Sequence, residues 1–352
     1  MIYENPTAKC YLLLYSSIQI VKGYARSLLI DLERHKMRLI PNEFLEFIDQ
    51  CKTTYLPTVL KNYQENDQPI LKEYMEFIIE NEYGFYTDQP ECFPELDLTW
   101  KTPSDITNAV IDVNKSSKHS YTDIIKILDK LNCQAIDLRV FEHINFDIVT
   151  NFIHATESSC IRNINIYIPY NTWKQRAIDK DYFLDYPRVN SFIIHGSPSN
   201  IIKDNDYDKR KVIFLQKDIT SASCCGYVSE NLMIGNMSLF TESQHYNSCL
   251  NKKLSIDVDG QVKNCNVQAE SYGKYNQIDV IDLVKNNKSF SSLWKITKDD
   301  ILVCKDCEFR YVCVDCRGLI SDNNNIYSKP ERCNYNPYKA DWEPEPIKII
   351  GQ

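Results

Sequence analysis

The stretch Cys304-Lys-Asp-Cys307-Glu-Phe-Arg-Tyr-Val-Cys313-Val-Asp-Cys316 places four thiols within thirteen residues. Three more lie at useful distances: Cys249 and Cys265 before it, Cys333 after it. One structural zinc held by the four is the simplest reading. Two Cys-x-x-Cys pairs on one ion usually stand roughly a dozen or more residues apart, and here five intervene. Such spacing crowds a single ion without forbidding it. Two sites interleaved in sequence use all seven thiols. Cys304, Cys307 and Cys313 serve one, closed by Cys333; Cys316 joins Cys249 and Cys265 at the other. Cysteine-only ligation at compact spacing suits iron–sulfur clusters, with zinc as the alternative.

The length of 352 residues implies two or three domains. Apolar residues make up 43% and aromatic ones 12%, enough for packed cores. A net charge of −8 argues against a nucleic-acid partner, which needs a basic face. The N-terminus MIYENPTAKCYLLLYSS carries no signal-peptide pattern, and no apolar run of about 18 residues suggests a membrane helix. A cytoplasmic protein with reduced thiols is expected, and there clustered cysteines are metal ligands more often than disulfides. Neither G-x-G-x-x-G nor G-x-x-x-x-G-K-[ST] occurs, so no nucleotide site is expected.

The fold class is α/β, in three parts. Residues 1–93 read as strands over 9–40, then helices beginning at Asn42, Leu56 and Ile70, a βββααα module. GFYTDQPECFP then breaks the pattern. From 104 to 220 apolar strands alternate with amphipathic helices: TNAVID, YTDIIKILDKLN, AIDLRVF, FDIVTNFIHATE, INIYIPY, VNSFIIHG, KVIFLQKDI. That rhythm implies parallel βαβ units and a partial β/α barrel, with functional groups expected at the C-terminal ends of strands. His119, His154 and His195 have no evident partner and are not expected to be catalytic. Residues 221–352 hold the cysteine constellation. LSIDV and QVKNC form a hairpin turning at Asp259-Gly260, which brings Cys249 and Cys265 to one end. IDLVKNNKSFSSLWKITKDDI reads as helical.

Cys249, ten residues, Gly260, four residues, Cys265, then the Cys304–Cys316 run and Cys333 closely resemble the SPASM domain. That resemblance implies two auxiliary 4Fe–4S clusters, with Cys225 as an eighth ligand and Cys224 or His245 as rivals. Ordinary burial is the other reading of Cys224 and Cys225. Radical S-adenosylmethionine enzymes also carry Cys-x-x-x-Cys-x-x-Cys after the first barrel strand. Here the matching loop, Asn114 to Tyr121, has no cysteine, so radical S-adenosylmethionine activity is not expected. The chain resembles the grasp-with-spasm type of peptide maturase, which implies a ribosomal precursor peptide as substrate and an ATP-grasp ligase as partner. "LIDLERHKMRLIPNEFLEFI" is similar to the winged-helix-like recognition element of such systems. That resemblance implies leader-peptide addition beside Lys36, Met37, Arg38, Leu39 and Ile40. A non-enzymatic scaffold with structural clusters or zinc is the alternative function. Cys10, Cys51, Cys92, Cys133 and Cys160 read mostly as buried free thiols. Glu308, Arg310, Tyr311 and Arg317 read as packing around the cysteine loop, or as groups that tune a cluster.

Overall fold

The computed structural model describes residues 10–174, 183, 186–204 and 210–343. Most of the N-terminal stretch read for a targeting signal lies outside them. Among the described residues no helix is long and apolar enough to cross a membrane.

Four strands come first: β1 (Tyr11–Leu14), β2 (Ile18–Lys22), β3 (Ser27–Asp31) and β4 (Lys36–Ile40). β2, β3 and β4 form an antiparallel sheet in that order. Helices α1 (Asn42–Thr53), α2 (Leu56–Lys61) and α3 (Gln68–Glu80) follow. α2 and α3 carry proline in the first turn, where a missing N–H is harmless. Phe44, Phe47, Ile48 and Cys51 of α1 share a core with Leu12, Leu29 and Ile78. The expected three-strand count is corrected here. β1 lies outside the three-stranded sheet and pairs with β5 (Gly84–Thr87), inside the segment read as a pattern break. Its partner lies some seventy residues earlier, beyond the reach of a local pattern.

The larger sheet begins with β6 (Asn108–Val113), α4 (Tyr121–Lys130), β7 (Ala135–Val140), α5 (Phe146–Thr156) and β8 (Asn163–Pro169). Then come α6 (Tyr170–Trp173), β9 (Val189–His195), β10 (Ile201–Asp204) and β11 (Lys211–Phe214). After α7 (Met237–Ser243), the hairpin of β12 (Lys253–Ile256) and β13 (Val262–Lys263) joins the same sheet. β12 runs parallel to β6, so the sheet continues past residue 220, the expected domain boundary. The strand order is β10-β11-β9-β8-β7-β6-β12-β13. Its middle six strands are parallel; β10 and β13 are antiparallel at the edges. Sequence reading misses β10, whose four residues are all exposed. The helix expected over Ile281–Ile301 is shorter: α8 (Val280–Asn286) ends before Asn287. β14 (Tyr335–Asn336) and β15 (Asp341–Trp342) close the described chain as a small hairpin.

One face of the large sheet is apolar. Ile111, Leu138, Ile166 and Phe192 stand on neighbouring strands and pack against α4 and α5 through Ile124, Leu128, Val149 and Phe152. Each such side chain contributes about 1.5–3 kcal/mol when fully buried. The other face is mostly polar. Asp112 stands opposite Arg139, Arg139 opposite Tyr167, and Asp137 opposite Asn165.

The N-terminal sheet packs directly on the cysteine-rich region. Val21, Leu28 and Ile30 share a core with Phe240, Phe309, Val312 and Tyr335. The β2–β3 turn sits against the cysteine loop itself. Tyr24 N–H donates to the Asp306 carbonyl at 2.8 Å, and Arg310 donates to the Lys22 carbonyl at 2.6 Å. Arg26 pairs with Glu308 at 2.8 Å, and Tyr335 hydroxyl also donates to that carboxylate. A Cβ on Gly23 would lie 2.6 Å from the Arg26 carbonyl oxygen and 2.8 Å from the Glu308 amide nitrogen. Gly23→Val therefore should destabilise the protein by roughly 1–3 kcal/mol through overpacking. Arg26→Met should cost about 3–5 kcal/mol, because the Glu308 carboxylate stays buried without its cation. Denaturant midpoints check both; unchanged midpoints would refute this docking.

Candidate metal centre

Cys304, Cys307, Cys313 and Cys333 gather on one side of the loop. Residues Cys304–Asp306 make a single helical turn, entered through Val303 at φ 70°, and Cys307 N–H donates to the Cys304 carbonyl at 3.0 Å. Burial pushes the Cys304 thiol up to about 11; Lys298 opposes that rise, and Asp315, Cys313 and Cys333 add to it. The Cys313 thiol is likewise raised by burial, with Lys298, Cys333 and Asp315 as neighbours. Burial raises Cys307 too, which lies within electrostatic reach of Cys313 and Cys304.

The second gathering comes from three separate segments. Burial pushes Cys249 up to about 12; Lys253 opposes it, and Cys265, Cys316 and Cys225 add to it. Cys316 is raised by burial and feels Cys265 and Cys225. Glycines allow the close approach here. A Cβ at Gly226 would stand 3.1 Å from Cys316 Sγ, and one at Gly318 would stand 3.9 Å from Cys265 Sγ. Cys304, Cys307, Cys313 and Cys333 thus lie within electrostatic reach of one another, as do Cys249, Cys265, Cys316 and Cys225. Cys224 points to different surroundings: burial raises its thiol, but hydrogen bonds from Thr220 and Ser221 outweigh that and lower it. Burial does not account for this pair, since Cys225 is exposed and Cys224 half-buried. His245 rests against the Tyr246 ring.

Cys313 and Cys316 are three residues apart yet serve opposite sides. Asp315 lies between them. It pairs with Lys298 at 3.3 Å and Arg317 at 2.6 Å, and accepts from Asn247 at 2.6 Å.

Each set also contains a lysine. Lys253 Nζ stands 3.6 Å from Cys249 Sγ, and Lys298 Nζ stands 3.8 Å from Cys313 Sγ. Burial alone would lower the pKa of either lysine. For Lys253, Cys249, Cys265 and Cys225 more than reverse that; for Lys298, Cys313, Asp315, Cys304 and Cys333 do so. A buried cation is costly unless anions face it; Lys298 has Asp315 at 3.3 Å beside its thiols, and the half-buried Lys253 faces chiefly thiols. Bound metal keeps such thiols deprotonated. All-thiol donor sets are of the chemistry that zinc or an iron–sulfur group takes.

Among the described residues, no three His, Cys, Asp or Glu side chains are arranged to hold a metal ion as they stand. A single zinc needs its thiolates to converge at about 2.3 Å. A cluster takes its thiolates on different irons, so its ligands stand farther apart.

The Cys249 set lies at the start of β12, level with the start of β6, since Lys253 pairs with Asn108. Loop residues after β6 form local turns, and His119 Nε2 contacts the Asp112 carbonyl at 2.9 Å. His195 is buried, with Nε2 at 2.9 Å from the Val140 carbonyl and Nδ1 accepting from Ile219 N–H at 3.3 Å. His154 pairs with Glu157 on the surface. These histidines hold backbone or solvent positions. Glu308, Arg310, Tyr311 and Arg317 bind Arg26, Asp299, Asp299 and Asp315 respectively, as packing groups would. No disulfide forms among the described residues; Cys10, Cys51 and Cys133 are buried, Cys160 is half-buried, and Cys92 is exposed against expectation.

β4 is an edge strand, paired only with β3 among the described residues. Lys36, Arg38 and Leu39 are exposed, Met37 half-buried and Ile40 buried. The neighbouring loop touches β4 through Gly235, whose carbonyl contacts His35 at 3.2 Å. Exposed Leu232, Ile234 and Met237 flank that glycine.

No protein-family model matches the chain, and no curated protein matches it. Among solved structures, Streptococcus suis SuiB bound to S-adenosylmethionine is similar over 91% of this chain and 99% of that one, at 10% identity and a TM-score of 0.35. SuiB alone gives 91% and 98% coverage, 9% identity and 0.34. SuiB bound to precursor peptide SuiA gives 92% and 99%, 8% and 0.30. A likeness this remote bears no functional weight.

Proposed function

We propose that this protein is an iron–sulfur maturation partner for a ribosomally made precursor peptide, acting beside an ATP-grasp ligase. The observation that carries the metal reading is the pair of four-thiol sets, each with a lysine ammonium against a sulfur. Cys249, Cys265, Cys316 and Cys225 would hold one 4Fe–4S cluster; Cys304, Cys307, Cys313 and Cys333 would hold the other. Such clusters, when bound, supply one-electron transfer and a rigid staple. Residues 221–352 form the proposed SPASM region, 104–220 the partial barrel and 1–93 the peptide-recognition module. The free β4 edge beside exposed Leu39 and Ile234 supports peptide docking by strand addition. The ligase partner rests on the sequence resemblance. The chain lacks Cys-x-x-x-Cys-x-x-Cys, so no step through S-adenosylmethionine is assigned.

Cys265→Ala and Cys307→Ala should each lose about half of the iron, roughly four atoms per cluster. Loss of all iron from either variant would refute the partition. Leu39→Asp should weaken precursor binding about tenfold, near 1.4 kcal/mol, measured by fluorescence anisotropy with the full chain; unchanged affinity would remove β4 as the reader. Co-expression of precursor and ligase, with and without this protein, separates the roles by mass spectrometry. A modification seen only with the protein, and lost in the Cys265→Ala variant, marks a catalyst. Identical products formed faster mark a scaffold.

A further inference from the structure

The two lysines are not foretold by any cysteine spacing, and they differ in surroundings. Lys298 is 4% exposed. Its carboxylate partner, Asp315, is shared with Arg317, which binds it at 2.6 Å. Two cations against one carboxylate leave a single positive charge facing Cys304, Cys313 and Cys333. Lys253 has Asp137 as a more distant acidic neighbour, and Asp137 accepts from Asn165 at 2.9 Å. Arg139, within electrostatic reach of Cys225 and Cys265, is engaged by Asp112 through two hydrogen bonds of 2.7 and 2.8 Å. The Lys253 ammonium is thus left for Cys249.

Hydrogen bonds to the sulfurs and the net local charge help set the reduction potential of a cluster. One-electron reduction adds a negative charge to the cluster and its thiolates. A fixed cation that donates N–H to a ligand sulfur stabilises that extra charge more than the oxidised form. We propose that Lys253 and Lys298 are positioning residues that set the potential of the two clusters, one lysine to each, by donating to Cys249 and Cys313. The idea rests on the cluster reading above. Lys298 is the more deeply buried, so screening by water is weaker there and its effect is the larger of the two.

The test uses full-length protein purified without oxygen, as wild type, Lys253→Met, Lys253→Arg, Lys298→Met and Lys298→Arg. Each sample is assayed for iron. Each is then titrated with dithionite as the one-electron reductant, and reduced clusters are followed by electron paramagnetic resonance. Each methionine variant should shift the midpoint of one cluster to a more negative value and leave the other in place. The arginine variants should stay near wild type. Loss of one cluster from a methionine variant, with the matching arginine variant still loaded, also supports the proposal, because the retained feature is the charge. Unshifted potentials in iron-loaded methionine variants overturn it and leave the cluster reading intact. Equal loss of iron from methionine and arginine variants overturns it as well, by making the lysines packing groups. Wild-type protein without iron overturns the cluster reading and this proposal together.

Discussion

A lysine ammonium is rarely taken out of water unless an anion waits for it. In this fold Lys298 is buried against Asp315 and Cys313, and the half-buried Lys253 stands against Cys249. Asp315 faces Lys298 and Arg317 together, and neutral thiols would add little to that balance. Thiolates would add more, and burial by itself drives these thiols the other way, towards the protonated form. A bound metal group, as proposed above, would keep the sulfurs deprotonated and bring its own charge to the balance. The arrangement of Asp315, Arg317 and Lys298 follows the same logic. The carboxylate joins two cations, fixes the chain between Cys313 and Cys316, and leaves one net positive charge on the thiol side.

The cysteine loop is also where the molecule is joined. One end of the β2–β3 turn is held by Glu308, Arg310 and Asp306. The core beneath it mixes Val21 and Ile30 with Phe309 and Val312. On the other side, the hairpin carrying Cys265 supplies a strand to the parallel sheet. A change at the cysteine loop therefore touches the N-terminal module through a buried ion pair, and the large sheet through β12. Peptide docking at β4 would be felt near the loop through β3 and Ile30.

Much of this was legible in the sequence because it is local. Alternating apolar strands and amphipathic helices located β6 to β9 and α4 and α5, since a parallel sheet covered by helices needs that rhythm. Cysteine spacing suggested the two groupings proposed above, whose members come from separate segments of the chain. Other features depend on distant partners. β5 was hidden because its mate is β1, and β12 looked like a free hairpin because its pairing with β6 spans 145 residues, as the contact from Thr107 to Lys252 shows. Lys253 and Lys298 were invisible for a different reason. Lysine belongs on the surface by default, and only the fold reveals which lysine faces a sulfur. Cys225 lies within electrostatic reach of Cys316, and Gly226 allows the chain to come against that sulfur.

The central claim is that two thiol sets hold two clusters. Metal and acid-labile sulfide analysis of the anaerobically purified wild-type chain tests it most directly. The account predicts brown protein with about eight irons and about eight sulfides, roughly four of each per cluster. Colourless protein that contains zinc alone would contradict it.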